Sequence, residues 1–221
     1  MTAGFQVVGS HGLLQIDERY TSLGLKAKGS MSITGPATLV VTDVQTPMLA
    51  ISAPSAPVLL TGAVQSGGTV TYTLTSAATT SLDWWVFDKM IPSAGGTHGA
   101  GLQVYTADGQ CAFDSTSPPM RIAGMLRLPD APANATWPPT PGALSGPAGA
   151  YAACLSHPRV YLTDGQQPNR WFADGVQTSP TGCTTGQVYY QSHQPGSNGF
   201  GGARYMQAVG GLLFLVDVTG L

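Results

Sequence analysis

Glutamate is nearly missing from this chain: Glu18 is the only one, and lysine occurs only at Lys26, Lys28 and Lys89. These residue types solvate the outer face of long helices, so their scarcity argues against a helical protein. Charge of either sign is sparse, at 9% of 221 residues against roughly 25% in an average soluble domain. The 9 basic and 11 acidic side chains form no cluster that could neutralise a row of phosphates, which makes nucleic acid a poor partner. Long apolar runs are missing too. The longest, Leu212 to Val216, is about a quarter of the roughly 20 residues that a membrane helix needs, so no membrane insertion is expected. Three cysteines, Cys111, Cys154 and Cys183, make an odd number without metal-type spacing. The opening Met-Thr-Ala-Gly-Phe has neither the charged nor the apolar region of a signal peptide. The expectation is a chain that folds in a reducing cytosol.

What is present is 43% hydrophobic residue, 29 glycines and 17 prolines. The apolar fraction supports a core, and the glycines and prolines interrupt the chain too often for helices of ordinary length. Strands and turns remain, which predicts an all-β protein.

An internal repeat organises it. Gly4-Phe-Gln-Val-Val-Gly-Ser-His-Gly12-Leu-Leu-Gln-Ile-Asp17 aligns without a gap on Gly101-Leu-Gln-Val-Tyr-Thr-Ala-Asp-Gly109-Gln-Cys-Ala-Phe-Asp114, an offset of 97 from Gly4 to Gly101. Each copy reads as a β-hairpin. Phe5 and Val7 alternate with other residues, a turn ends at Gly12, and Leu14 and Ile16 return on one face. Gly12 and Gly109 stand where a three-residue hairpin loop needs a left-handed backbone. Strand-like runs follow the first hairpin at 31–33, 37–44, 58–61, 69–75 and 82–87. Others follow the second at 151–155, 159–163, 187–191, 203–209 and 212–218. The spacing predicts two tandem β-sandwich-like domains, 1–95 and 96–221, each opening with a hairpin. The boundary is placed in the glycine-rich stretch 91–101. A proline-rich insertion at about 129–147, with six prolines in 19 residues, favours extended backbone.

Chemistry is hard to find. Gly-x-Ser-x-Gly, Walker, His-Glu-x-x-His and Cys-x-x-Cys patterns are all missing. Asp17, Asp108, Asp114 and Asp164 sit at predicted turns, where aspartate bonds its own backbone. His11, His98, His157 and His193 are scattered in loops without metal-ligand spacing. No catalytic residue, cofactor or metal is therefore expected. The candidate interaction surface is aromatic: Trp137, Trp171, Tyr189 and Tyr190 fall in the irregular second half, either covering the core or stacking on a partner. Trp84 and Trp85 are neighbours in a predicted strand and must face opposite ways.

The two hairpin segments, Gly4-Phe-Gln-Val-Val with Gly12 and Asp17, and Gly101-Leu-Gln-Val-Tyr with Gly109 and Phe113-Asp114-Ser115, resemble the opening hairpin of small accessory proteins of siphophage tails. Copy one departs from that pattern at Glu18, where serine is expected. The resemblance implies a non-enzymatic structural protein of a phage tail tip or baseplate, assembled in the host cytoplasm and carried in the virion. Its partners would be other tail proteins and copies of itself, a trimer by analogy. A host receptor or glycan is the alternative partner, making the chain an adsorption module. Low charge fits a protein whose surface is covered by neighbouring subunits.

Overall fold

The computed structural model describes residues 6–8, 14–17, 22–90, 101–130, 140–163, 169–193, 204–207 and 209–221, with side chains for 22–90, 101–130, 140–161, 171–189 and 209–221. The protein is all-β, with no helix among the described residues. The strands are β1 (Gln6–Val8), β2 (Leu14–Asp17), β3 (Leu23–Val41), β4 (Met48–Ser52), β5 (Val58–Ser66), β6 (Thr69–Lys89), β7 (Gln103–Tyr105) and β8 (Cys111–Asp114). They continue as β9 (Arg121–Arg127), β10 (Ala143–Ser145), β11 (Tyr151–Leu155), β12 (Val160–Thr163), β13 (Asn169–Ser179), β14 (Gly182–His193), β15 (Arg204–Gln207) and β16 (Leu212–Asp217).

The expected hairpins are β1–β2 and β7–β8, and they match residue for residue. Gln6 pairs Asp17, Val7 pairs Ile16 and Val8 pairs Leu14, with a bulge after Val7. Gln103 pairs Asp114, Val104 pairs Phe113 and Tyr105 pairs Cys111, with the bulge at the same place. Gly109 has the left-handed backbone its turn requires, with φ of 81°; Gly12 lies outside the described residues.

The other twelve strands form one antiparallel sheet in the order β10-β14-β13-β5-β6-β4-β11-β16-β9, with β12 on β13 and β15, and β3 on β6. It curls nearly into a barrel, since its end strands approach: a Cβ on Gly124 of β9 would lie 3.4 Å from Leu144 Cδ2 of β10. Alternation sends Leu49 and Ile51 of β4, Leu74, Leu82 and Val86 of β6, Ala153 of β11, and Leu213 and Leu215 of β16 into one shared core. Ala50, Phe87, Ala152 and Val216 face the other way, beneath Leu23, Leu25 and Met120. Trp84 packs on the first cluster and Trp85 on the second, the split that adjacent positions demand.

The repeat runs beyond the hairpins. In the first half Gly24 pairs Asp88 and Leu25 pairs Phe87; then Lys26 bulges and Ala27 pairs Val86. In the second half Arg121 pairs Asp217 and Ile122 pairs Val216; then Ala123 bulges and Gly124 pairs Leu215. The hairpin offset of 97, Gly24 to Arg121, thus carries through β3 and β9, bulge included. Likewise Leu49 on Val86 corresponds to Ala153 on Leu215. Val58 on Ser76 and Leu59 on Thr75 correspond to Tyr161 on Tyr205 and Leu162 on Arg204. So β3, β4, β5 and β6 are matched by β9, β11, β12 and the pair β15–β16, and the β13–β14 hairpin is an addition of the second half. The halves meet at the Ile51–Ala153 pair and at the Gly24–Pro119 bridge. The expected boundary near residue 95 lies outside the described residues, and strands from both sides of it share the sheet and the core.

Candidate functional site

The aspartates come first, because a chain with one glutamate must draw its carboxylate chemistry from them. Asp114 is buried and accepts the Thr116 N–H at 2.8 Å, the Thr116 hydroxyl at 2.6 Å and the Gln103 side-chain amide at 2.8 Å. It closes the turn after its hairpin. Asp108 accepts the Thr106 hydroxyl within the turn, a bond that lowers its pKa from the ordinary value. Asp17 lies in β2, where only the backbone is described, and Asp164 falls outside the described residues. Asp88, next to the end of β6, is buried and accepts N–H groups from Gln45 at 2.6 Å, Thr46 at 2.7 Å and Lys89 at 2.8 Å. Asp174 is buried against Arg159, with Nε to Oδ2 at 2.7 Å and Nη2 to Oδ1 at 3.1 Å. The described buried carboxylates, Asp88, Asp114 and Asp174, are each bound by groups of their own fold.

Of the histidines, His157 has Nδ1 at 3.1 Å from the Ser156 hydroxyl, which itself accepts the Leu212 N–H at 2.9 Å. His193 ends β14 with its side chain outside the description; His11 and His98 lie outside it altogether. Among the described residues no three His, Cys, Asp or Glu side chains gather in a metal-binding group.

Of the four aromatic candidates, Trp171 and Tyr189 have described side chains, and these two lie on opposite faces of the β13–β14 hairpin. Tyr189 is 39% exposed and meets Phe172 edge to face, with ring centroids 5.7 Å apart. Trp171 is half-buried and precedes Phe172 on β13, so the pleat turns it to the opposite face. Tyr190 is the extra residue at the β13–β14 bulge, where Trp171 pairs Gln191 and Phe172 pairs Tyr189. Trp137 lies outside the described residues.

A concavity that sequence reasoning missed lies elsewhere. β5 pairs β13 only at Val58–Val176, and β4 pairs β11 only at Ile51–Ala153. Beyond those contacts the sheet parts, leaving a cleft of about 400 Å³ lined by Leu59, Leu60, Ala63, Cys154, His157 and Val160, among others. Its wall is mainly apolar. The one carboxylate on it, Asp174, is neutralised by Arg159, and the Cys154 thiol is pushed up to about 12 by burial. Burial thus keeps the Cys154 thiol protonated, and the wall also carries the Ser156 hydroxyl and the His157 ring. No single motif could have announced it, because its lining comes from β4, β5, β11, β12 and β13 together.

No family model, curated protein or solved structure matches this chain.

Proposed function

We propose that this chain is a non-enzymatic structural component of a bacteriophage tail tip or baseplate that bridges neighbouring tail proteins. The observation that carries the reading is the twin hairpin, whose residues resemble the opening hairpin of siphophage tail accessory proteins and whose two copies keep the same register and bulge. Two further observations support it. The described buried carboxylates are engaged in holding turns and strands. A surface poor in charge suits a protein covered by other subunits. On this reading the protein is a virion constituent, assembled in the host cytoplasm, and self-associates as a trimer.

Immunolabelling of intact particles with antibody against this chain tests the proposal, with host lysate as the control for free protein. Label at the distal tail is expected. Unlabelled particles beside abundant free protein would remove the reading.

A second reading, adsorption to a host receptor or glycan, draws on the exposed Tyr189 ring set against Phe172. It requires that Tyr189→Ala abolish retention on purified host surface glycan while leaving particle assembly intact.

A further inference from the structure

The two halves differ in one respect that bears on recognition. In the second half, β12 is paired on both sides: by β15 on one, and on the other by β13, through Val160–Ala173, Tyr161–Phe172, Leu162–Trp171 and Thr163–Arg170. The equivalent strand of the first half is β5, with Val58 and Leu59 in the places of Tyr161 and Leu162. β5 is paired by β6 along its whole length. On its other side Val58 pairs Val176, and the edge from Leu59 to Val64 has no strand partner among the described residues. The apolar cleft lies directly along that edge.

The geometry points to β5 as an acceptor for an added strand: an extended, largely apolar segment of another polypeptide pairs antiparallel with Leu59–Val64 and sinks one apolar side chain into the cleft. The protein supplies its own pattern for the occupant. β13 fills the corresponding edge in the second half with Arg-Trp-Phe-Ala, extended and aromatic. An open strand edge gives main-chain hydrogen bonds to any extended partner, and a pocket beside it selects the side chain. Charge agrees, since the cleft wall has no unpaired carboxylate and would reject a charged side chain. The inference does not depend on the tail-tip reading; it concerns the kind of segment bound, whatever assembly supplies it.

The probe is a capped, fluorescein-labelled peptide with the sequence of 169–176, Asn-Arg-Trp-Phe-Ala-Asp-Gly-Val, titrated into the intact protein by anisotropy. Amide hydrogen exchange is followed in parallel. Saturable binding is expected, with slowed exchange confined to Leu59–Val64. Ala63→Arg, which puts a charge at the exposed rim of the cleft, is expected to weaken binding about tenfold or more. Met125→Arg, on a β9 residue 61% exposed and outside both β5 and the cleft, serves as the control and changes binding by less than about twofold. The exchange pattern of the unmodified protein keeps the test independent of how well Ala63→Arg folds. No saturable binding would overturn the proposal. So would protection at 160–163, which would mean that the peptide displaces β13. Binding of neutral N-phenyl-1-naphthylamine in the cleft, with no peptide protection on β5, would make this a small-molecule site and equally end the strand-addition reading.

Discussion

At the residue scale, Asp88 and Asp217 show how one repeated position serves two ends. Gly24 pairs Asp88, and its counterpart Arg121 pairs Asp217, so the two aspartates are equivalent in register. Asp88 is 1% exposed and gathers three backbone N–H groups, two of them from the 45–46 segment that leads into β4. Asp217 stands at the rim, accepts the Thr219 N–H at 2.9 Å and lies 3.6 Å from Arg121. That backbone bond, more than the arginine, holds its pKa below the ordinary value. Asp88→Ala strands buried donors and is expected to cost about 3 kcal/mol, whereas Asp217→Ala removes a solvent-screened pair and costs under about 1 kcal/mol. Urea denaturation of the two variants checks the contrast, and equal losses would refute it. Glycine gives a second case. A Cβ on Gly175 would lie 2.6 Å from Val188 Cγ2 and 2.9 Å from the Val58 carbonyl carbon and oxygen, with backbone among the obstacles. Gly175→Val is therefore expected to part β5 from β13, and to lower the urea midpoint by the equivalent of about 3 kcal/mol.

At the element scale the determining contact is Arg159. It joins β12 to β13 through Asp174, and the same guanidinium donates to the carbonyls of Pro129 at 3.4 Å and Thr140 at 3.1 Å, so one side chain ties both flanks of the proline-rich stretch to the sheet. Arg159→Met leaves Asp174 buried and unpaired, and should cost about 3 to 5 kcal/mol; Arg159→Met with Asp174→Leu should recover much of that loss. If the double variant is no more stable than the single one in urea, the carbonyl contacts rather than the ion pair dominate. Alternation made 69–75 legible, and 58–61 and 151–155 were legible as short apolar runs. Elements were misjudged where proline or glycine was read as a stop. The runs 31–33 and 37–44 fall largely within one strand, β3, because around Pro36 that strand is paired only by β6 among the described residues, and Gly35 takes φ of 74° at a bulge. β4 carries no period of two, since Leu49, Ala50 and Ile51 are all buried, and Pro47 and Pro54 hem in its short run. β13 had no such signal either, and its absence from the sequence reading hid the cleft.

For the molecule as a whole, the hairpin repeat was visible in sequence because turn glycines and paired residues recur at a fixed offset. The deeper equivalence of β3–β6 with β9–β16 was not, since register and bulges are preserved while side chains diverge, as in Trp85 against Phe214. The shared core has a consequence for pH. Burial pushes the Cys154 thiol up to about 12 and the Cys183 thiol up to about 11. It also raises the Tyr72 hydroxyl to about 12, helped by the nearby Cys154 and Asp88 charges. In the unfolded chain the thiols titrate near 9.0 and the phenol near 10.0. Between those values and the folded ones the native state keeps protons that the unfolded state has released, so stability is full below about pH 9 and falls as pH rises toward 12. Each thiol contributes a slope on the order of 1.4 kcal/mol per pH unit in that window. The urea midpoint should therefore hold steady from about pH 7 to about pH 8.5 and drop by about pH 10.5. Replacing both Cys154 and Cys183 by alanine should flatten the drop even if it lowers the starting stability; an equally steep alkaline decline in that variant would assign the effect to other groups.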